Sequence, residues 1–372
     1  MKKTFTVSFL FLFLSVTAFS QIVEIPDANF KTYLLGNESI NTNSDTEIQL
    51  SEAVAFDGTI NCNGLNVSDF TGIEEFINLT VFYSSDNNFA SGIDLSLNTA
   101  LEEIRITTTN LSSLDLSQNA ALETLELSYN SNMTAIDVST CPNLRYLYCG
   151  SCDIIALDLS SNVNLLHLYC NDNSLSALDL SANTLLEILL CSDNGLLELD
   201  VSNNPGLIGA NCAGNYISTL DFSMNPSLVQ IICVANSLNS LNLSNISTSA
   251  FLNATENPQL TCIQVDDVAA AEAAWTSIDA TASFSTDCNI SFVDQLHTGN
   301  NVSIYPNPTH SNIFIQTDLN IKSMVISDAR GSIIMKNIPT NRTIDLSELS
   351  TGLYFLQAFT EGGWISKKLI LE

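Results

Sequence analysis

The chain has 372 residues, with 11 Lys and Arg, 40 Asp and Glu and three His, so its formal net charge is −29. Such an acidic protein is expected to repel nucleic acids and anionic membrane surfaces, because both are bound through Lys and Arg side chains. The composition, 45% hydrophobic and 14% charged, excludes a disordered chain, and the length suggests more than one domain.

The N-terminus has the pattern of a secretory signal peptide over residues 1–20. Lys2 and Lys3 precede a short apolar run, and Ala18 and Ser20 occupy the −3 and −1 positions of a predicted cleavage site. This run is too short to span a membrane, and no later stretch is long enough. We therefore predict an exported protein without an integral membrane segment after cleavage.

Residues 21–78 are predicted to form an N-terminal cap that begins with a short amphipathic helix over residues 28–35. After this helix, side-chain oxygens recur at positions 1, 3, 5, 7 and 12 of a loop, as in an EF-hand calcium site: Asn41, Asn43, Asp45, Glu47 and Glu52. Asn at position 1 and Thr46 in place of the turn Gly at position 6 both weaken such a site. The alternative is an acidic polar turn between two helices, so calcium is a possible cofactor that the sequence leaves open.

A tetrapeptide of the form Leu-Asp-Leu-Ser recurs through the middle of the chain with an almost constant period. Its first residues are Ile93, Leu114, Ile136, Leu157, Leu178, Leu199, Leu220 and Leu241, so every step but one is 21 positions and the exception is 22. A period this regular predicts a solenoid. Each repeat has two halves of the form L-x-x-L-x-L-x-x-N/C, in which alternating apolar residues predict a strand with one buried face. Since so short a coil leaves no room for a long helix, both halves are predicted as strand plus turn, giving two parallel sheets back to back.

These repeats resemble those of bacterial leucine-rich-repeat proteins, whose coils read LxxLxCxxNxLxxLDLSxN. The resemblance covers residues 79–265, roughly nine coils, and implies a binding scaffold without identifying its ligand. The predicted fold class is therefore mainly β, a leucine-rich-repeat solenoid with small helical N- and C-terminal caps.

Five cysteines share one inward strand position in successive repeats: Cys149, Cys170, Cys191, Cys212 and Cys233. Neighbouring strands lie ~4.7–4.9 Å apart, which is wider than the ~3.8 Å between the Cβ atoms of a disulfide. We therefore predict a ladder of buried free thiols rather than disulfides or a metal site.

A C-terminal cap is predicted over residues 266–290, where residues 266–275 have the pattern of an Ala-rich helix with an Asp N-cap. Cys262 and Cys288 flank this segment, and a disulfide between them would fasten the cap over the open end of the core.

The two predicted sheet faces differ in chemistry. On the Leu-Asp-Leu-Ser side the outward residue is almost constant: Asp94, Asp115, Asp137, Asp158, Asp179, Asp200, Asp221 and Asn242. This row is either a strip for divalent cations or cationic ligands, or a set of consensus carboxylates that bond turn backbone and keep the face soluble.

The opposite face varies, and three successive coils present large apolar and aromatic side chains there. The candidate ligand-binding residues are Arg145, Tyr146, Tyr148, His167, Tyr169, Ile188 and Leu190. A contiguous patch of this kind often marks an interaction site, and aromatic rings also suit sugar rings. The alternative is that Tyr and Ile stand here only because they form strands well.

After a linker predicted at residues 291–301, residues 302–372 contain short alternating segments typical of a small β-sandwich. Their motifs resemble those of the C-terminal sorting domain of the type IX (Por) secretion system, in the expected order: Tyr305, Pro306, Asn307, Pro308, Gly331, Gly352, Tyr354, Lys367 and Lys368. The resemblance implies export through the periplasm and outer membrane of a Gram-negative bacterium, removal of the domain, and then release or attachment to the cell surface.

The three His lie in different regions, and the common hydrolase and nucleotide-binding motifs are absent from the sequence, which argues against an enzyme. The leading hypothesis is a secreted or cell-surface protein that recognises protein or polysaccharide through its variable face and contacts the secretion machinery through its tail. A structural surface-layer or calcium-dependent adhesion spacer is the main alternative, and a module that inhibits a cationic enzyme is a third.

Overall fold

The computed structural model describes residues 21–89, 92–288, 302–317, 321–328, 333–335, 343–347, 349–360 and 363–372. The predicted signal peptide, the predicted linker and Gly331 of the sorting motif lie outside these residues. The described residues form two hydrophobic cores, one running from Val23 to Phe284 and one from Val302 to Leu371. No helix among them is both long and apolar enough to cross a membrane.

The larger core belongs to a solenoid whose main sheet has ten parallel strands among the described residues. The middle residue of each strand is buried. Numbered in chain order, the strands are Thr59–Asn61 (β1), Val81–Tyr83 (β2), Glu103–Arg105 (β3), Thr124–Glu126 (β4), Tyr146–Tyr148 (β5), His167–Tyr169 (β6), Ile188–Leu190 (β7), Gly209–Asn211 (β8), Gln230–Ile232 (β10) and Phe251–Asn253 (β12). The predicted mainly β leucine-rich-repeat solenoid is therefore confirmed.

The second sheet is shorter than predicted. Its four parallel strands are Thr219–Asp221 (β9), Ser240–Asn242 (β11), Cys262–Gln264 (β13) and Ser283–Ser285 (β14). In the earlier described coils, the Leu-Asp-Leu segments form no backbone hydrogen bonds with one another. A parallel ladder needs strands ~4.7–4.9 Å apart. Among the earlier coils, only the main-sheet strands pair in this way.

The array also extends further than the nine predicted coils, to about 11 turns. Strand β1 lies within the predicted N-terminal cap and strand β14 within the predicted C-terminal cap. Both terminal coils lack the Leu-Asp-Leu-Ser signature, but the first coil keeps the two buried positions of a main-sheet strand. Ile60 and Cys62 are both fully buried, two residues apart, as Leu147 and Cys149 are in a central coil.

Asparagines join the coils at two corners, and all of them are buried except Asn173, which is half-buried. Beyond the main sheet, each Asn amide donates to carbonyls and accepts, through Oδ1, the N–H of a residue in the preceding coil. These residues are Asn87, Asn130, Asn173, Asn194, Asn215, Asn236 and Asn257. After the Leu-Asp-Leu-Ser segments, a second set donates to two carbonyls of the preceding coil, and its Oδ1 atoms have no hydrogen-bond partner: Asn98, Asn119, Asn162, Asn183, Asn204 and Asn225.

One residue in each coil adopts the left-handed backbone conformation just past the main sheet, with φ between 53° and 66°. These residues are Gly64, Asp86, Thr108, Tyr129, Ser151, Asp172, Asp193, Gly214, Ala235 and Glu256. Most of them carry a Cβ, although the conformation favours Gly and Asn. At Gly214 a Cβ would lie 2.3 Å from Oδ1 of Asp193, so the Asp193 side chain would have to turn away to make room for one.

Short helices lie at both ends of the array. The predicted N-terminal helix is α1 (Ala28–Leu35), and it is followed by α2 (Leu50–Ala55) and a 3₁₀ turn at Ile73–Glu75. At the other end, α3 (Val268–Ala274) begins after Asp267, whose side chain accepts from the N–H of Ala270.

The C-terminal region forms two antiparallel sheets. One contains Ser303–Tyr305 (β15), Asn312–Gln316 (β16) and Thr343–Asp345 (β19); the other contains Ile321–Asp328 (β17), Ile333–Met335 (β18), Gly352–Thr360 (β20) and Gly363–Leu371 (β21). Ile313 and Ile344 of the first sheet and Met324 and Leu356 of the second are buried in the same core, which is the predicted β-sandwich arrangement.

Candidate binding surface

The main sheet brings all seven candidate ligand-binding residues together. We call them the sheet-face patch: Arg145, Tyr146, Tyr148, His167, Tyr169, Ile188 and Leu190. Strands β5, β6 and β7 pair in register, so they form one row of Tyr146, His167 and Ile188 and a second row of Tyr148, Tyr169 and Leu190. The six strand side chains are half-buried, and Arg145 is exposed beside them.

The aromatic rings of the patch support one another. The Tyr146 and His167 rings meet edge to face with centroids 5.0 Å apart, and the Tyr148 and Tyr169 rings do so at 4.7 Å. The Arg145 guanidinium lies 5.6 Å from the centroid of the Tyr146 ring. Edge-to-face geometry suits the ring quadrupoles, so the outward surface is already ordered in the absence of a ligand.

Carboxylates border the patch. Oε2 of Glu123 lies 4.0 Å from Arg145, and Oε2 of Glu187 lies 3.9 Å from Nε2 of His167. Glu126 stands directly opposite Tyr148 on the neighbouring strand. Burial raises the pKa of the Tyr148 hydroxyl, with smaller contributions from Tyr169 and Glu126. The patch therefore presents aromatic rings within an acidic border.

Sequence reasoning missed the apolar residues that continue this surface. Ile208 and Val229 precede strands β8 and β10, and the backbone N–H of Val229 donates to the carbonyl of Ile208. They are 39% and 59% exposed, and they continue the row of Arg145, Leu166 and Glu187 that precedes the strands. Gly209, in register with Ile188, is buried, because the Ile188 side chain packs over it: a Cβ there would lie 3.3 Å from Cδ1 of Ile188. Ile208 and Val229 both occupy the position just before a strand. A search for strict alternation of buried and exposed residues within the strands does not include that position.

The row of aspartates on the other face forms turns. Each Asp, and Asn242 in the last position, accepts through Oδ1 a hydrogen bond of 2.8–3.0 Å from the backbone N–H two residues later. Hydrogen bonds from Ser96, Ser117 and Ser181 hold the pKa values of Asp94, Asp115 and Asp179 below 3.8. This is the turn-bonding role that the sequence left open beside a cation strip.

The candidate calcium loop is a dense hydrogen-bonded turn between α1 and α2. Oε1 of Glu52 accepts from the backbone N–H groups of Thr42 and Asn43, and Oε2 of Glu52 accepts from that of Gln49. Asp45 Oδ1 accepts from the N–H of Glu47, whose carboxylate pairs with Lys31 at 2.6 Å.

The loop is rich in amides as well as acids. Asn43 and Gln49 both donate to Oδ2 of Asp45, and Asn41 donates to the carbonyls of Leu35 and Asp45. Within the described residues, no three His, Cys, Asp or Glu side chains are grouped so that they could hold a metal ion. Any site in this loop therefore depends on amide oxygens.

The structure pairs Cys262 with Cys288 in a disulfide and leaves the other eight cysteines free. Cys62 occupies the ladder position in the first coil, a role that the sequence did not reveal. Burial raises the pKa of Cys62, Cys170 and Cys212 to about 12 and raises that of the other ladder thiols well above 9.0. Such thiols remain protonated and pack as small apolar groups.

The candidate sorting residues lie close to the last strand of the sandwich. Nδ2 of Asn307 donates to the carbonyl of Lys368 at 2.7 Å, and Oδ1 of Asn307 accepts from the N–H of Ile370 at 2.8 Å. Tyr305 ends strand β15, Pro306 and Pro308 flank Asn307, and Lys367 and Lys368 are exposed on strand β21. Strand β20 begins at Gly352, and the Tyr354 hydroxyl donates to the carbonyl of Ser350 at 2.8 Å.

Residues 303–372 match the family model of the secretion system C-terminal sorting domain. The solved structures similar to the chain include the functional domain of InlJ from Listeria monocytogenes, whose description mentions a cysteine ladder. It is 17% identical with a TM-score of 0.47, over 95% of this chain and 100% of that one.

Two further solved structures are similar at the same level. The leucine-rich-repeat protein LIC12759 from Leptospira interrogans is 17% identical with a TM-score of 0.49, over 59% of this chain and 64% of that one. Internalin C2 from Listeria monocytogenes is 16% identical with a TM-score of 0.41, over 72% and 98%. No curated protein matches the chain. The assignment of leucine-rich repeats therefore rests on the repeat itself and on its in-register strands.

Proposed function

We propose that this secreted leucine-rich-repeat protein binds a protein ligand through the sheet-face patch and is not an enzyme. The observation that carries the proposal is the contiguity of six aromatic and aliphatic side chains across strands β5, β6 and β7. Contiguous apolar surface rimmed by charge is typical of interaction sites, and Tyr is enriched at the centre of interfaces.

The ring contacts favour binding because they reduce its entropic cost. Tyr148 and Tyr169 hold each other in place before a ligand arrives. Immobilising a rotamer-rich side chain costs about 0.5–1.5 kcal/mol on association, and rings that are already ordered avoid part of that cost. A rigid array of such residues supports multivalent contact along the solenoid.

The charge distribution indicates a basic partner. Residues 21–301 contain 34 acidic and three basic residues. Each of the three cations, Lys31, Arg105 and Arg145, already lies beside a carboxylate. A partner whose Lys and Arg side chains surround an apolar centre would complement the border of the patch, and its association would weaken as salt increases.

The C-terminal domain supplies the route to that partner. The sorting-domain match indicates secretion to the cell surface or the medium. We further propose that the protein passes through the periplasm of a Gram-negative bacterium by type IX secretion, and that residues 302–372 are removed before the solenoid is released or attached. On this proposal the tail residues contact the secretion machinery rather than the ligand.

A binding screen against surface proteins and glycans, with and without calcium, tests the proposal. The triple substitution Tyr146→Ser, Tyr148→Ser and Tyr169→Ser should reduce affinity for the captured protein at least tenfold, a loss of about 1.4 kcal/mol. Tyr129→Ser with Tyr216→Ser is the matched control, because both tyrosines are more than 60% exposed and lie outside the patch.

Unchanged capture by the triple variant would refute the patch as the binding site. Patch-dependent capture of a glycan alone would replace the protein ligand with a polysaccharide. Self-association that needs divalent cations and ignores the patch would support the surface-layer or adhesion spacer instead.

A further inference from the structure

We propose that the loop at residues 41–52 binds one calcium ion, with the side-chain oxygen of Asn41 as a central ligand. Asn43, Asp45, the backbone carbonyl of Glu47 and Glu52 would supply the remaining protein oxygens. This site lies in the N-terminal cap and is independent of the sheet-face patch.

The orphaned oxygen of Asn41 is the first observation. Asn41 is only 5% exposed, and its Oδ1 has no hydrogen-bond partner. Its Nδ2 donates to the carbonyls of Leu35 and Asp45, which fixes the amide against the loop. A buried acceptor without a donor is costly, and a cation that accepts its lone pairs would remove that cost.

The neighbouring oxygens keep unused lone pairs. Asn43 Oδ1 accepts only the N–H of Asp45, Asp45 Oδ1 accepts only that of Glu47, and Glu52 Oε2 accepts only that of Gln49. Calcium takes six to eight oxygen ligands, including amide and backbone carbonyls and water. The loop therefore offers an oxygen set of the right kind, with two carboxylates to balance the charge of the ion.

A buried orphan oxygen alone does not make a site, as the solenoid itself shows. Asn98 is fully buried, has an unpartnered Oδ1, and donates through Nδ2 to the carbonyls of Ile73 and Phe76. Its side chain donates only to backbone carbonyls, as that of Asn41 does, but Asn41 lies in the same loop as the carboxylates of Asp45 and Glu52. The combination of an orphan oxygen with two carboxylates sets Asn41 apart.

The expected affinity is low. The site has two carboxylates and relies otherwise on neutral oxygens, and extracellular calcium modules with few charges have Kd values of roughly 10⁻⁴–10⁻³ M. Bound calcium would fasten α1 to α2, because the loop joins them and Ile22 pairs with Gln49 in an isolated bridge next to it. Calcium should therefore stabilise the end of the solenoid where the array begins.

Calorimetric titration and melting curves of the purified protein test the site. In about 10 mM CaCl₂, at least ten times the expected Kd, Tm should exceed its value in EDTA, and heat of binding should fit one site. Asp45→Asn should abolish both effects. Asp69→Asn is the control, since Asp69 also caps a turn through its Oδ1 but lies outside the loop.

The substitution Asn41→Asp distinguishes a calcium site from a polar turn that binds no ion. It places a third carboxylate beside Asp45 and Glu52, so it should lower Tm in EDTA and enlarge the calcium-dependent increase, with tighter binding. Asn98→Asp should lower Tm equally with and without calcium. Absence of binding in the unsubstituted protein at about 10 mM, or an Asn41→Asp variant that calcium does not restore, would overturn the proposal. If that variant does not fold, the Asp45→Asn titration decides.

Discussion

Tyr148 and Tyr169 lie in register on neighbouring strands, and their rings meet edge to face with centroids 4.7 Å apart. This contact spans two repeats and links residues that are 21 positions apart in the chain. Each coil therefore orders the outward side chains of its neighbour, just as it orders the buried ones.

We expect this contact to contribute measurably to stability. A double-mutant cycle with Tyr148→Ala and Tyr169→Ala should give a coupling energy of about 0.5–1.5 kcal/mol, the usual value for an aromatic pair. Urea denaturation measures the four free energies of unfolding. Tyr83 lies on strand β2, away from Tyr169, so their cycle should be additive within about 0.5 kcal/mol. A coupling near zero for the first pair would contradict the contact.

The buried Asn corner should be much more sensitive to substitution than a surface Asn. Asn194 donates to the carbonyls of Cys170 and Cys191 and accepts from the N–H of Leu175 at 2.9 Å. Asn194→Ala leaves these buried backbone groups unpaired, and each costs about 1–3 kcal/mol. The exposed Asn203 provides the control, and Asn203→Ala should stay within about 0.5 kcal/mol. If both variants lost the same free energy of unfolding, as measured by urea denaturation, this role of the corner Asn would be disproved.

Relief of backbone strain should stabilise the array at Thr108. This β-branched residue has φ of 54°, where a Cβ costs roughly 1–2 kcal/mol. Thr108→Gly should therefore raise the free energy of unfolding, although the extra freedom of Gly in the unfolded chain offsets part of the gain. Thr184→Gly, in an exposed turn without positive φ, should lower it. A decrease at both positions would show that strain at Thr108 is negligible.

The aspartate turns predict a pH dependence of stability. The pKa values of Asp94, Asp115 and Asp179 are lower in the folded state than their ordinary value of 3.8. Their stabilisation is therefore fully present above pH 3.8 and is lost as the pH falls through the lower folded values. Replacing all three with Asn should flatten the decrease in Tm below pH 4, since Asn242 already forms the same turn. An unchanged slope would count against the carboxylates as its source.

The thiols should differ in reactivity according to burial. Cys152 is half-buried, whereas the other seven free cysteines are buried, and a thiolate forms least where burial raises the pKa. Under native conditions at pH 8, iodoacetamide should label Cys152 first, as read by mass spectrometry. In guanidinium chloride all eight should react, which controls for reagent quality. Rapid native labelling of Cys170 or Cys191 would contradict the ladder's burial.

The sequence predicts the central coils well because their constraints are local and repeated. A buried Leu, an inward Cys and a corner Asn recur from coil to coil, and each serves one geometric role. The surface patch follows from that period, since the register of one strand sets the register of the next. Its residues could therefore be named before the structure was known, as could the turn-bonding role for Asp94 and its equivalents.

The terminal coils and the second sheet could not be predicted in the same way. Cys62 and Phe284 occupy core positions without the surrounding Leu-Asp-Leu-Ser signature, so their coils were assigned to caps. Strands β9 and β11 carry the same motif as earlier coils, and they pair only because neighbouring coils approach closely there. Distance between coils is a tertiary property that no single repeat encodes.

The short second sheet has a mechanical consequence. From Thr219 onward the coils are joined by backbone ladders on both faces, whereas the earlier coils are joined on one. Ladders on both faces resist bending in either direction, so the coils from Thr219 onward should bend less than the earlier coils. The sheet-face patch lies on the earlier coils. The order of the patch therefore depends on the ring contacts between neighbouring coils as well as on that single ladder.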